Sequence, residues 1–153
     1  MIPAMMHLSH SLEDTQKFAR AEAQKFMSSG KGEPLVIALE GELGAGKTTF
    51  TQAFAKALGA QGQIKSPTFV LMKSYELTNA APYHTLHHLD CYRLQKVQDL
   101  GPLGVAEKIV QSGTITLIEW AERVKEILPR NYWLIRFEHV SEHERNISIT
   151  HLS

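Results

Sequence analysis

The residues best suited to chemistry sit in one decapeptide, GELGAGKTTF at 41–50. Gly41, Glu42, Leu43, Gly44, Ala45, Gly46, Lys47, Thr48 and Thr49 carry the spacing G-x-x-x-x-G-K-[ST] of a phosphate-binding loop. Glycines in such a loop take backbone angles closed to other residues. Successive N–H groups and the N-terminus of the following helix can then face an anion. Lys47 would be the cation for the β and γ phosphates of a nucleotide, and the Thr48 hydroxyl a ligand for Mg²⁺. The sequence has no [NT]-K-x-D element for guanine, which favours ATP over GTP.

Three further stretches could complete such a site. TITLIEW at 114–120 is an apolar strand pattern ending in Glu119, and an acid at the carboxyl end of a strand can hold Mg²⁺ or polarise the attacking water. An ordinary strand end is the alternative, and Trp120 beside it is either a hydrophobic plug or a lid. In YHTLHHLDCYRL at 83–94, a period of two places His84, Leu86, His88, Asp90 and Tyr92 on one face. His88 and Asp90 are therefore expected to turn toward the nucleotide. His84, His87, His88 and Cys91 are all possible zinc ligands, but they divide between two faces and no second cluster completes a tetrahedron. In KSPTF at 65–69, Thr68 could close over the γ-phosphate as switch threonines do, or the segment could be a plain helix-to-strand turn.

Positioning these groups requires a strand, a loop and a helix in succession. LVIAL at 35–39 is a short unbroken apolar run, as expected for a strand covered on both faces. After the loop, Phe50, Ala53, Phe54, Ala57 and Leu58 recur at helical spacing and end at Gly59. Upstream, SLED at 11–14 reads as a capping box opening a helix that buries Leu12, Ala19, Ala23 and Phe26 and stops in SSGKGEP. NAAP at 79–82 marks a hairpin turn, and YWLIRF and RNISIT predict a terminal antiparallel hairpin. Residues 1–8 are expected to be disordered.

Composition narrows the function classes. A length of 153 residues suits one domain, and 43% hydrophobic content is ordinary for a globular chain. The 16 basic residues balance 16 acidic ones and are scattered, which argues against a broad nucleic-acid-binding face. The single cysteine cannot form an internal disulfide, and MIPAMMHLSH lacks the pattern of a signal peptide. No run approaches the ~18 apolar residues of a membrane span, so a cytoplasmic protein without membrane association is expected.

GELGAGKTTF, SPTF, HLDCYRL and LIEW, in this order and spacing, together resemble the TsaE family, bacterial ATPases needed to make threonylcarbamoyladenosine in tRNA. The resemblance runs from about Ser11 to the terminal strands. It implies a single α/β domain of P-loop NTPase type, with a central mixed β-sheet flanked by helices and antiparallel hairpins. It also implies ATP and Mg²⁺ as cofactors, slow hydrolysis by the free protein, and association with TsaB and TsaD homologues. Hydrolysis would reset that complex between turnovers, with tRNA involved only indirectly.

Carried over residue by residue, the family's loop falls on Gly41 to Thr49 and its metal ligands on Thr48 and Glu119. The catalytic roles fall on Lys47, Asp90 and Glu119, and the H-x-D-x-Y-R pattern on His88, Asp90, Tyr92 and Arg93. Trp120 matches the family's tryptophan next to the acid, while Thr15 and Arg145 match family-like positions toward the adenine or phosphates. Glu42 stands where the family commonly has Asp, and SSGKGE lengthens the connection after the first helix. Two rival readings remain at this level: a small-molecule kinase, which would need an arginine-bearing lid, and an adaptor that binds nucleotide without hydrolysing it.

Overall fold

The computed structural model describes residues 5–65 and 71–153. In chain order the elements are β1 (Met5–Ser9), α1 (Leu12–Ser29), β2 (Leu35–Gly41), α2 (Lys47–Ala57), β3 (Met72–Glu76), β4 (Thr85–Asp90), α3 (Val105–Lys108), β5 (Thr114–Glu119), β6 (Tyr132–His139) and β7 (Arg145–Leu152). A 3₁₀ helix, Val97–Leu103, leads into α3, and two 3₁₀ turns follow β5.

The strands form one mixed sheet in the order β1-β7-β6-β2-β5-β4-β3. β6, β2, β5 and β4 run parallel, while the β3–β4 and β6–β7 hairpins and β1 supply the antiparallel flanks. Every residue of β5, and Val36 to Leu39 in β2, is buried. These inner strands have both faces covered, which explains their unbroken apolar runs. On one face Ile37, Leu39, Ile115 and Leu117 pack with Phe18 and Phe26 of α1 and Phe50 and Phe54 of α2. On the other, Val36, Ala38, Leu89 and Ile118 pack under Leu100, Val105 and Ile109.

The Ser11 side chain accepts a hydrogen bond from the Asp14 N–H at 3.0 Å, so the expected cap opens α1. The expected burial of Leu12 is corrected: it is 61% exposed, on the rim of a cavity, and the inward positions belong to Thr15, Phe18, Ala19, Glu22, Ala23 and Phe26. Ala57 is only partly buried. The expected disorder of residues 1–8 is also corrected for Met5 to Leu8, which belong to β1 and pair antiparallel with β7. The stabilising partner of that strand lies at the other end of the chain, where local pattern cannot reveal it.

Candidate nucleotide site

The site is built at the carboxyl ends of the parallel strands, where ligands bind in open α/β sheets. β2 ends at Gly41, which lies so close to β6 that a Cβ there would sit 2.6 Å from the Phe137 carbonyl oxygen. The chain then turns through Gly44 and Gly46, both with positive φ, and Gly46 opens α2 at φ 104° without any side-chain cap. No acidic residue stands in the first turn of α2. Its N-terminal N–H groups and the positive end of its dipole are thus left for an external anion.

Lys47 is 5% exposed, and its ammonium is drawn across the loop. It donates to the carbonyls of Gly41 and Glu42, the latter at 3.0 Å, and lies 4.0 Å from the centre of the Trp120 ring. Burial pulls the Lys47 pKa below its ordinary value, and the nearby carboxylates of Glu122, Glu119, Asp90 and Glu42 oppose that shift.

Asp90 and Glu119 end adjacent strands as register partners. Their environments differ. Glu119 is 2% exposed; one of its oxygens accepts from the Thr48 hydroxyl at 3.2 Å, and the other lies 2.5 Å from His88 Nε2. Asp90 is half-buried and faces the cavity, with Oδ1 accepting from the Tyr92 N–H at 3.0 Å. Immediately after Glu119, Trp120 takes a left-handed conformation at φ 59°, which costs a side-chain-bearing residue about 1–2 kcal/mol. The turn brings its indole to 4.9 Å from the Tyr92 ring, with the Arg123 guanidinium 5.7 Å from each ring.

A cavity of about 300 Å³ opens between the loop, Asp90, Glu119 and Trp120. A second shares Gly44, Gly46 and Thr49 with it and reaches Thr15 and Arg145. The structure thus brings the loop, Asp90, Glu119 and Trp120 to one mouth and sets Thr15 and Arg145 on the far side of the loop. The Thr15 hydroxyl is engaged with Ser9 at 2.7 Å. Arg145 is spread over the carbonyls of Ser141, Glu142 and Glu144, and reaches the Gly44 carbonyl at 3.3 Å. Thr68 lies outside the described residues.

The donor set at the mouth is hard oxygen: the Thr48 hydroxyl and the two carboxylates. Mg²⁺ takes one or two carboxylates and fills its remaining positions with water and substrate phosphates, so these residues fit that ion. Among the described residues no group of three or more His, Cys, Asp or Glu is placed to hold a metal. His84 stands apart from His88, beside Gly113. His87 points to the opposite face, where Nδ1 meets the Ser74 hydroxyl at 2.7 Å. Two features were not legible in the sequence: the contact of His88 with Glu119 and the tilted ring contact of Tyr92 with Trp120. Both join residues that are far apart in the chain or divided by a turn.

A phosphate loop between a central parallel strand and its helix, with acids on the neighbouring strand ends, defines a domain of P-loop NTPase type. A family model described as "Threonylcarbamoyl adenosine biosynthesis protein TsaE" matches residues 9–147. The chain belongs to the TsaE family. Among its relatives, the tRNA threonylcarbamoyladenosine biosynthesis protein TsaE of Bacillus subtilis is 37% identical over 138 residues, covering 90% of this chain and 80% of the relative. The protein of the same name from Treponema pallidum is 34% identical over 148 residues, covering 95% and 99%. The crystal structure of Bacillus subtilis YdiB superposes with a TM-score of 0.72 at 31% identity, covering 97% of this chain and 86% of that one. No helix among the described residues is long and apolar enough to cross a membrane.

Proposed function

We propose that this chain is a Mg²⁺-dependent ATPase that supports threonylcarbamoyladenosine modification of tRNA by docking on TsaB and TsaD homologues and resetting their complex through ATP hydrolysis. The observation that carries the ATPase reading is the bond between Glu119, at the end of β5, and Thr48, at the start of α2. It joins the acid and the hydroxyl that would share a metal at the mouth of an uncapped helix N-terminus.

In this reading the loop N–H groups and α2 hold the phosphates. Lys47 leaves the loop carbonyls for the β and γ oxygens, exchanging neutral acceptors for charged ones. Thr48 and Glu119 would hold Mg²⁺, which would supply positive charge for the developing charge of the transferred phosphoryl group. Glu119 is almost wholly buried, whereas Asp90 is half-buried and lines the cavity; Asp90 is therefore assigned to orient the attacking water. Trp120 covers Lys47 and, with Tyr92, forms a movable wall.

The partner reading rests on family membership and on surface character. Leu43, 69% exposed, and Tyr92, 40% exposed, place apolar surface at the mouth. Zero formal charge favours a protein partner over direct capture of tRNA. The test is a time course of tRNA modification with limiting TsaB and TsaD homologues, comparing the native chain with Glu119→Gln. The native chain should release phosphate slowly alone and faster with partners, and should be needed after the first round. If both proteins support the same number of rounds, hydrolysis is not the reset step.

A further inference from the structure

His88 is 1% exposed and lies two residues before Asp90 on β4. Asp90 is the cross-strand partner of Glu119, so the Glu119 side chain folds back along the sheet to meet His88 Nε2 at 2.5 Å. An ionised carboxylate only accepts hydrogen bonds, so the imidazole donates from Nε2. Nδ1 is buried without a hydrogen-bond partner among the described residues. Glu119 is therefore the polar anchor of the ring, and His88 and Thr48 both donate to a carboxylate that is almost wholly removed from water. A buried carboxylate must be paired to remain in place.

We propose that His88 is a positioning residue: its Nε2–H fixes the rotamer of Glu119 so that the opposite oxygen is presented at Thr48, where the metal would bind. This rests on the Mg²⁺–nucleotide reading above. In that state Thr48 is committed to the metal, and His88 becomes the contact that keeps Glu119 oriented. Partners of this kind, one step behind a ligand, typically change metal affinity by about 10–100-fold when they are lost.

The test exploits reach. A glutamine at position 88 can place an amide N–H near the Nε2 position, whereas the shorter asparagine reaches only to Nδ1. Mn²⁺ binding in the presence of ADP is followed by electron paramagnetic resonance for the native chain, His88→Gln and His88→Asn. Binding of ADP with EDTA present is measured by calorimetry.

His88→Gln should stay within about threefold of native Mn²⁺ affinity, and His88→Asn should lose roughly tenfold or more. Metal-free ADP binding should be equal in all three. Native affinity in His88→Asn, equal losses in both variants, or a parallel loss of metal-free ADP binding would each overturn the proposal. Failure of the native chain to bind Mn²⁺ any better with ADP than without would instead overturn the Mg²⁺–nucleotide reading, and this inference with it. Should both variants fail to fold, nitrogen-15 resonances of the native chain decide: Nε2 protonated and Nδ1 bare supports the role, and the reverse tautomer removes it.

Discussion

His87 and His88 are neighbours in the chain, yet they work on opposite faces of the sheet. His88 looks toward α2 and meets Glu119 at the mouth of the phosphate loop. His87 looks toward the face covered by α3, meets Ser74, and leaves Nε2 buried without a partner among the described residues. Burial pushes the His87 pKa below its ordinary value, with Lys108 and His84 adding to the effect. The same face holds Cys91, whose thiol is pushed up to about 12 by burial. Groups on the α2 face converge on a cavity; those on the α3 face are withdrawn into packing. Two imidazoles one residue apart thus meet different partners, Glu119 beside the cavity or Ser74 in the packing, through strand alternation alone.

The largest break in that comparison comes from Lys47, the cation of the α2 face. If Lys47 serves the β and γ phosphates as proposed, Lys47→Ala removes two charge-assisted hydrogen bonds, each worth about 1.5–3 kcal/mol, so ATP affinity should fall by roughly a hundredfold or more. His87→Gln, on the other face, should leave that affinity within about twofold. Calorimetry on both variants checks the pair. A native affinity in Lys47→Ala would remove the functional distinction between the faces.

Within the α2 face, the two acids sharpen the comparison further. Glu119→Gln and Asp90→Asn each keep size while removing charge. If Glu119 serves the metal and Asp90 the water, phosphate release at saturating Mg²⁺ and ATP should drop about a hundredfold in each. Mn²⁺ affinity should weaken chiefly in Glu119→Gln. Equal weakening in both would return the assignment of roles to an undivided pair of acids.

The frame around the loop was legible because its signals are local. The loop spacing, the apolar run before it and the helical period after it occupy residues 35–58, and the fold places them as β2, loop and α2. Ser11 and Asp14 are likewise three residues apart, and their bond forms as the capping pattern requires. The contacts that escaped are those that depend on register between strands. His88 and Glu119 meet across 31 positions only because β4 and β5 align Asp90 with Glu119. β1 escaped for the same reason, since Met5 pairs with Ile149. The stretch between β4 and β5 carries Gly101, Pro102 and Gly104, which interrupt any helical period and yield only a 3₁₀ helix and the single turn of α3. Leu12 matched the helical period, but its place in the first turn put it on a cavity rim instead of the core.

The smallest effect separates the faces through pH. For His87 the folded-state pKa is lowered by burial from its ordinary 6.5, so in the window below about 6.5 the unfolded chain binds the proton more readily than the folded one. Stability is complete above that value and is lost as pH falls through the folded pKa. Asp14 and Glu144 also have lowered values, held down by hydrogen bonds from the His10 backbone and side chain respectively. Starting from 3.8 and 4.5, their losses belong to more acid solution. Between pH 7 and pH 5 the unfolding midpoint should therefore fall, each kcal/mol lost moving it by roughly 2–4 °C in a chain of this size. His87→Asn keeps a polar atom near the Nδ1 position that meets Ser74 but cannot titrate, so its midpoint should change less over the same interval. Thermal unfolding of both proteins at matched ionic strength checks this. Parallel pH profiles would show that the buried histidine of the α3 face does not set the acid sensitivity of the fold.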